Sequence, residues 1–266
     1  MRPKIAFILF LLATSFTGFT QQNAGQQNKQ VDFYSLSLGA GTANYFGDLI
    51  NPGDFGQPGL NITATLEYQW KPNWSLRTNL NYFHISGDDR FADDDRQERN
   101  LSFYSNNWEW NVTVHYNFLK VPEEGYAKRK TVNGYVFTGP GLVFINPRAT
   151  RSNGRSVDLH NLQTEGTKYS NVQFVIPFGL GAKIKIDPSF NILLEGGYRL
   201  TFSDYLDDIS SKDYPDPATL RNDLSREMSD RRRELDPDYP IHLGKRGNDS
   251  EHDGYILLNL SVQYTF

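Results

Sequence analysis

The sequence predicts an all-β fold: an eight-stranded antiparallel β-barrel that spans a bacterial outer membrane and carries long extracellular loops. The first observation is the alternation of apolar and polar residues, which is clearest over residues 256–266 and is typical of strands between lipid and a polar lumen. The second is the aromatic content of 14%, because such barrels carry aromatic girdles at both membrane interfaces. The third is that short and long connections alternate along the chain.

The N-terminal residues predict an exported protein. An apolar run over residues 5–13 follows basic residues and leads into small residues, which is the pattern of a secretory signal peptide. This run is too short for a helix that crosses about 30 Å of hydrocarbon. We therefore expect a signal peptide over residues 1–20, a polar spacer over residues 21–32 and a barrel over residues 33–266. The sequence contains no cysteine, which excludes a disulfide and a lipid-modified cysteine.

Eight segments of the chain have strand character. Apolar residues at every second position predict one face of each strand, and polar or charged residues between them predict the other. The fifth segment is the least regular, because Gly139-Pro140-Gly141 interrupts it and proline cannot donate a ladder hydrogen bond. The eight segments cover residues 33–45, 60–70, 74–85, 103–118, 134–145, 172–186, 190–202 and 256–266.

The connections between these segments predict the orientation of the barrel. Short turns face the periplasm and long loops face the exterior in barrels of this class. With an even number of strands, both termini of the mature chain are expected in the periplasm. The short links cover residues 71–73, 119–133 and 187–189. The long links cover residues 46–59, 86–102, 146–171 and 203–253.

A water-soluble eight-stranded barrel or sandwich is the alternative fold for the same pattern. It would bury the apolar face and expose the polar one. The predicted signal peptide, the terminal Phe266 and the charged side chains of the polar face favour the membrane barrel, because such charges can pair across a narrow lumen. Side chains fill the interior of an eight-stranded barrel, so we expect no solute-conducting pore. The charged residues of the polar face are Glu67, Arg77, Glu109, Lys183, Glu195 and Arg199.

Two acidic segments are candidate cation sites. Residues 86–100 are rich in aspartate, yet their spacing does not match a calcium-binding EF-hand loop. The interleaved Arg90, Arg96 and Arg99 favour a solvated loop that pairs with itself. Residues 204–210 follow the seventh strand, and their acids could hold a cation or cap a turn. A hydrogen-bonded rim between strand and loop is the favoured interpretation of this second segment.

The last long link contains a predicted amphipathic helix. It begins at Pro217 and includes Leu220, Leu224 and Met228 at helical spacing. The arginines at 231–233, near its end, suit either the helix dipole or contact with lipopolysaccharide phosphates, and both interpretations stay open.

The sequence predicts a non-enzymatic protein without a metal or cofactor. None of the five histidines lies in a recognisable nucleophile motif, and His115 is expected in the lumen. Zinc is disfavoured, because there is no cysteine and no histidine pair at metal-ligand spacing. Gly179-Leu180-Gly181 lies inside a predicted strand, which is the wrong setting for a phosphate loop. A net charge of −4 argues against nucleic acid as a partner.

Several fragments carry a family resemblance. The most specific covers residues 195–210 and includes Asp204, Tyr205, Asp207 and Asp208. The others are Tyr45-Phe46-Gly47-Asp48-Leu49, Leu162-Gln163-Thr164-Glu165-Gly166, Ile176-Pro177-Phe178-Gly179-Leu180-Gly181, Arg246-Gly247-Asn248 and Asp253-Gly254-Tyr255. They resemble a family of small outer-membrane barrels that includes the PorG-type component of the type IX secretion apparatus. The resemblance implies a barrel that contacts the periplasmic ring of that secretion and gliding machine, with no catalytic residues to transfer.

These observations lead to a hypothesis about function: an anchor or accessory component of type IX protein secretion. The expected partners are outer-membrane lipid and the periplasmic secretion-ring proteins, with no nucleic acid and no small-molecule substrate. A surface binding or adhesion barrel that acts through its extracellular loops is the alternative. A membrane-embedded hydrolase or acyltransferase is a third hypothesis.

The longest of the short links, residues 119–133, is the candidate partner contact. A periplasmic partner reaches only the short turns and the N-terminal spacer of a closed and filled barrel. Opposite charges in this link could give orientation and partner choice more readily than raw affinity. A solvated turn is the competing interpretation. The candidate residues are Glu123, Glu124, Lys128, Arg129 and Lys130.

Overall fold

A computed structural model describes residues 33–51, 55, 57–122, 124–240, 244–248 and 252–266. The predicted signal peptide and spacer, residues 1–32, lie outside the described residues, and so does Glu123. In the described ranges the chain forms strands joined by links that contain short helical turns. No helix in these ranges is long and apolar enough to cross a membrane.

The wall of the molecule is a closed ring of antiparallel strands. The first strand pairs with the last, from Ser35 opposite Thr265 to Phe46 opposite Gly254. Closure pairs both edges of the sheet, so the backbone N–H and C=O groups of the wall bond inside the protein, as hydrocarbon surroundings require. The strands are β1 (Phe33–Phe46), β2 (Gly59–Lys71), β3 (Trp74–Asp88), β4 (Ser102–Asn117), β5 (Val132–Thr138), β6 (Gly141–Phe144), β7 (Pro147–Thr150), β8 (Ser156–Asp158), β9 (Val172–Lys185), β10 (Phe190–Thr201) and β11 (Gly254–Thr265).

The ring has eight strand positions, which confirms the predicted fold. One position is shared by β5 and β6, which both lie between β4 and β9. The split falls at Gly139-Pro140, where the sequence predicted an irregularity, because proline has no N–H to donate. The Pro140 carbonyl still accepts a hydrogen bond of 3.0 Å from the Val112 N–H. Strands β7 and β8 form a hairpin that continues from the wall beside β4.

Apolar side chains cover the outside of the wall, and polar side chains fill the inside. Leu38 and Leu180 are 63% and 67% exposed, whereas Glu67 and Arg77 are 0% and 2% exposed. A water-soluble barrel would show the opposite distribution, so the soluble alternative is wrong. The apolar exterior and polar interior are those of a transmembrane barrel of the outer-membrane type.

Aromatic side chains mark both rims of this apolar surface. Neighbouring rings contact each other with centroids 4.9 to 5.6 Å apart. Such girdles lie at the two membrane interfaces of barrels of this class. The pairs are Tyr34–Tyr68 and Trp74–Tyr116 near the short links, and Tyr82–Trp108 and Phe174–Phe202 near the long links.

Charged side chains pair across the middle of the lumen. Glu67 on β2 binds Arg77 on the neighbouring β3, with Nε 3.1 Å from Oε2, and across the lumen it binds Lys183 on β9, with Nζ 2.6 Å from Oε1. A second ion pair joins Arg199 Nε to Glu109 Oε2 at 3.3 Å. These contacts confirm the predicted pairing across a narrow lumen. Because both partners of each pair are buried, loss of one partner would leave a charge without compensation.

Nearer the long links, the interior becomes apolar. Phe83 and Tyr255 stack inside the wall with ring centroids 4.7 Å apart. The same core continues beyond the strands, so the long links fold onto the barrel. We call the described residues of the four long links the loop cap. Its contributions to the core are Leu49, Leu101, Ala149, Leu159, Leu162, Leu206, Ile209 and Met228.

The loop cap contains three short α-helices. They are α1 (Asp94–Gln97), α2 (Leu159–Leu162) and α3 (Asp223–Ser229). The predicted extent of the last helix is wrong: Pro217 begins a 3₁₀ turn that ends at Thr219, and Leu220 is extended. Helix α3 begins after Asn222, whose side-chain oxygen accepts a hydrogen bond of 2.8 Å from the Ser225 N–H.

The arginines that follow α3 bind inside the loop cap. Arg231 Nε lies 2.9 Å from Glu234 Oε1, and its Nη2 donates to the Thr150 carbonyl at 2.9 Å. Arg232 Nη2 lies 2.5 Å from Asp230 Oδ2. Arg231 and Arg232 are buried and are held by these groups of the loop cap, whereas Arg233 is exposed and donates to the Tyr239 carbonyl at 3.2 Å.

Candidate functional site

The acidic motif that follows β10 lies at the junction between the barrel and the loop cap. Asp204, Asp207 and Asp208 are buried there. Tyr205 is half-buried and stacks on Tyr169 with ring centroids 4.3 Å apart. The motif is therefore a hydrogen-bonded junction, in agreement with the favoured interpretation of this segment.

Asp208 joins the fourth long link to the third. It adopts the left-handed backbone conformation, with φ of 71°, which is uncommon for a residue other than glycine. Its carboxylate accepts hydrogen bonds from the Tyr169 hydroxyl at 2.6 Å and from the Thr164 hydroxyl. Burial raises the pKa of Asp208 to about 6, although Arg246 acts in the opposite direction. These contacts hold the backbone of Asp208 in its uncommon conformation.

Asp207 and Asp253 meet at the end of β1. The Tyr45 hydroxyl lies 2.5 Å from Asp207 Oδ2 and 3.1 Å from Asp253 Oδ1. Asp207 Oδ1 accepts from the Ile209 N–H at 2.8 Å, and Asp253 Oδ2 accepts from the Leu206 N–H at 2.9 Å. Burial raises the pKa of both carboxyl groups well above the ordinary range, and neighbouring carboxylates reinforce the shift.

Arg246 connects this junction to the rest of the loop cap. Its guanidinium forms a buried ion pair with Glu165 and donates to Thr164 Oγ1 at 3.1 Å. Glu165 also accepts hydrogen bonds of 3.0 Å from the backbone N–H groups of Ser210 and Ser211. Fragments of the family resemblance that lie far apart in the sequence therefore meet at one place.

The fragment at residues 176–181 lies elsewhere, within β9, and has a packing role. A Cβ atom at Gly181 would lie 2.4 Å from the Tyr135 ring, and one at Gly179 would lie 2.7 Å from the Phe137 ring. Glycine at these positions therefore makes room for two aromatic side chains in the lumen. His115 stacks on Phe137 with ring centroids 5.0 Å apart, which places this histidine in the lumen as expected.

The acidic second long link pairs with its own arginines. Arg99 Nη2 lies 2.6 Å from Asp89 Oδ1 and also donates to the Asp48 carbonyl at 2.8 Å. Arg90 pairs with Asp88 at 2.6 Å. The predicted pairing of acids and arginines within this link is therefore confirmed. The prediction that the link is solvated does not hold at Asp89, which is buried. Within the described residues, no group of three or more acidic, histidine or cysteine side chains is arranged to hold a metal ion.

The turn between β4 and β5 folds over the opposite mouth of the barrel. We call described residues 119–131 the basic turn. Arg129 donates to the carbonyls of Pro188 at 2.8 Å and Asp187 at 3.0 Å, and its guanidinium carbon lies 3.8 Å from the centre of the Tyr126 ring. The Tyr126 hydroxyl accepts from Asn191 at 2.6 Å. Arg129 thus joins two neighbouring short links.

The residues predicted for a partner contact therefore have different surroundings. Lys128, Lys130 and Glu124 are exposed on the surface of the basic turn. Arg129 is half-buried and bonds within the chain. Glu123 lies outside the described residues.

Sequence reasoning did not identify Tyr45, Asp253, Glu165 and Arg246 as one cluster. Tyr45 lies in β1, Glu165 in the third long link, and Arg246 and Asp253 in the fourth, and no local period relates them. The apolar residues of the motif could have indicated a folded segment, because Leu206 and Ile209 are unusual in a solvated loop. Both side chains lie in the core of the structure. Apolar residues inside an acidic link therefore indicated a folded cap, but not its partners.

A closed eight-stranded wall with an apolar exterior, aromatic rims and a filled interior defines a small transmembrane β-barrel of the outer-membrane type. The profile of one family, described as a domain of unknown function (DUF6089), matches residues 19–222. The chain belongs to this family. No curated protein sequence matches the chain.

Solved structures of small membrane barrels are similar to the chain. One is Ail, the attachment invasion locus protein of Yersinia pestis, in complex with sucrose octasulfate: the TM-score is 0.44 at 10% identity, over 88% of this chain and 99% of Ail. Neisserial surface protein A has a TM-score of 0.43 at 11% identity, over 88% of this chain and 97% of that one. OprG from Pseudomonas aeruginosa has a TM-score of 0.43 at 9% identity, over 89% of this chain and 97% of OprG.

Proposed function

We propose that this protein is a non-enzymatic integral outer-membrane barrel that serves as an anchor or accessory component of type IX protein secretion. The proposal places the short links and both termini of the mature chain in the periplasm. Its sequence basis is the resemblance to the PorG-containing barrel family. The observation that carries it is the basic turn, which is fixed by Arg129 and presents Lys128 and Lys130 to solvent.

The filled interior supports a role through surfaces. Ion pairs occupy the middle of the lumen, and an apolar core occupies the part nearest the loop cap. The basic turn covers the other mouth. In this proposal the partner is a periplasmic ring protein that docks on the basic turn, and the charges of the turn set its orientation.

A charge-reversal experiment tests the proposal. Lys128→Glu and Lys130→Glu together reverse the exposed charge while they leave Arg129 in place. We expect barrel abundance to stay unchanged, and co-purification of periplasmic ring proteins and secretion of type IX substrates to fall severalfold. The matched control is the pair Lys168→Glu and Lys212→Glu, which are exposed lysines of the loop cap. The proposal is wrong if the control impairs secretion and the basic-turn variant does not.

A surface-binding role is the second candidate function. Phe91 is 65% exposed on the second long link, beside the exposed Arg90 guanidinium at 5.9 Å from its ring centre. An exposed aromatic residue on a folded cap suits contact with a ligand outside the cell. A selective effect of the loop-cap control in the same experiment would favour this function.

A further inference from the structure

We propose that Asp207, Tyr45 and Asp253 form a proton-dependent latch, in which one shared proton holds the loop cap on the barrel and loss of that proton releases it. Tyr45 belongs to β1, and Asp253 is the last residue of the fourth long link, joined directly to β11, so the wall fixes both. Asp207 belongs to the loop cap. The hydrogen bonds between them therefore join the cap to the wall.

The donors and acceptors at this site fit one shared proton. The Tyr45 hydroxyl has one proton to donate, which suits the shorter contact of 2.5 Å to Asp207 Oδ2. The second contact, 3.1 Å to Asp253 Oδ1, also joins two oxygens, and a proton on Asp253 gives this contact a donor of its own. The other oxygen of each carboxyl group already accepts from a backbone N–H, of Ile209 and Leu206 respectively. Without the added proton, a buried carboxylate oxygen faces the hydroxyl oxygen with no hydrogen between them.

Neighbouring acids disfavour a second negative charge at the latch. The charge of Asp48, from the first long link, raises the pKa of both Asp207 and Asp253, and the charge of Asp204 raises that of Asp253. Tyr198, from β10, also interacts electrostatically with Asp253. Each of these groups is neutral or negative, so none of them compensates a fully ionised pair.

The cations near this junction serve other carboxylates. The positive charges of Arg99 and Arg246 both favour the ionised form of Asp48. Arg99 is paired with Asp89, and Arg246 is paired with Glu165. Their charges are therefore already balanced by buried acids, and a proton remains the means of neutralising the latch.

Release of the latch opens part of the apolar core. Leu206 and Ile209 flank Asp207, and both side chains are buried in the core shared by the barrel and the cap. Their backbone N–H groups also bond to the latch carboxyl groups. An ionised latch would therefore expose these two amides to solvent when the cap lifts.

The direction of the pH dependence follows from the raised pKa values. A carboxyl group whose pKa is higher in the closed cap than in the open cap stabilises closure fully below its ordinary pKa of about 4. That stability is lost as the pH rises through the closed-state pKa. Burial raises the pKa of Asp204 to about 7 and that of Asp208 to about 6, so these residues add to the effect. We therefore expect the cap to open more readily as the pH rises from about 5 to about 8.

Hydrogen exchange of the full chain in lipid nanodiscs tests the latch. With rates corrected for the intrinsic pH dependence of amide exchange, protection of the Leu206 and Ile209 amides should fall about tenfold per pH unit for each proton released. Amides of β2 in the wall should keep constant protection and serve as the internal reference. Protection at Leu206 and Ile209 that does not change between these pH values would overturn the proposal.

A substitution separates the shared proton from other causes. Asp253→Asn keeps the shape of the side chain and gives Tyr45 an N–H donor that does not titrate. We expect the pH dependence at Leu206 and Ile209 to weaken by about tenfold per pH unit, so that only the contribution of Asp204 and Asp208 remains. The infrared C=O band of a protonated carboxyl group at pH 7 should weaken as well. Asp93→Asn, at an exposed position, should change neither.

Two further outcomes decide against the latch. Equal pH dependence in wild type and Asp253→Asn would show that other groups drive the opening. If Asp253→Asn does not fold, the infrared spectrum of the wild type at neutral pH is decisive, because the latch requires a buried protonated carboxyl group there. Absence of that band would overturn the proposal.

Discussion

The two ends of this barrel are closed by different kinds of interaction. At the long-link end, the loop cap has its own apolar core, and buried ionisable groups such as Arg246 and Glu165 join its segments. At the short-link end, one basic turn covers the mouth, and Arg129 fixes it through neighbouring backbone carbonyls. Apart from pairings such as the β7–β8 hairpin, the long links lie outside the ladder of strand hydrogen bonds, so side chains must hold them. A short turn needs little beyond its carbonyl partners.

The two ends also differ in charge. The long links contain more acidic than basic residues, while the short links and the adjoining strand ends contain more basic residues. A protein with a net charge of −4 thus has one basic end, which favours partners of opposite sign there. The basic residues of that end are Lys71, Lys120, Lys128, Arg129, Lys130 and Lys185, and the acidic ones are Glu123, Glu124 and Asp187.

The largest expected effect tests the difference between the ends. Arg246→Ala leaves Glu165 buried without its cation, so the free energy of cap opening should fall by about 3–5 kcal/mol. Arg129→Ala, at the other end, removes hydrogen bonds of a half-buried cation and should lower the stability of the basic turn by about 1.5 kcal/mol. Hydrogen exchange of the two regions measures both losses. Equal losses would contradict the view that, of the two ends, only the loop cap depends on buried ion pairs.

The next effect concerns the wall between the two ends. Leu260 on β11 and Leu235 in the loop cap are 55% and 62% exposed, but we expect lipid around the first and water around the second. Leu260→Arg should lower the free energy of unfolding in lipid vesicles by about 2–4 kcal/mol. Leu235→Arg, as the matched control, should stay within about 0.5 kcal/mol of wild type. Similar tolerance at both positions would mean that the wall does not face lipid.

The wall could be predicted from the sequence because its signals are local. Period-two alternation, as in Leu258, Leu260 and Val262, requires only neighbouring residues, and Gly139-Pro140 marked the irregular strand for a local reason. Strand ends differ from the prediction by at most three residues, as at β3, which continues to Asp88. The fold class, and the assignment of each strand's apolar face to the outside and its polar face to the lumen, are therefore the best-determined parts of the prediction.

The loop cap could not be predicted in the same way. Tyr45, Glu165, Asp207 and Arg246 lie in four different parts of the chain, and their contacts depend on how the long links fold over the barrel. The resemblance of these fragments to one family indicated that they matter but not that they meet. Similarly, the charge of Arg129 suggested a partner contact, whereas its position between two short links depends on tertiary structure.

The smallest expected effect tests how burial determines the contribution of an ion pair to the stability of the loop cap. Arg90–Asp88 and Arg99–Asp89 lie in the same link and have the same ion-pair distance of 2.6 Å. The Arg90 side chain is 73% exposed and the Arg99 side chain is 10% exposed, so water and salt screen the first pair and not the second.

Arg90→Ala should therefore change the stability of the cap by about 0.5 kcal/mol or less, because an exposed pair gains little over its hydrated ions. Arg99→Ala should lower it by about 3 kcal/mol, because Asp89 would remain charged and buried without a partner. Protease resistance of the loop cap, measured for both variants in the same lipid and over a range of salt concentrations, checks the difference. If the two variants lose resistance equally, ion-pair distance and not burial determines how the acidic link is held. In that case the contrast between the two ends of the barrel would have to be explained by the number of contacts at each end.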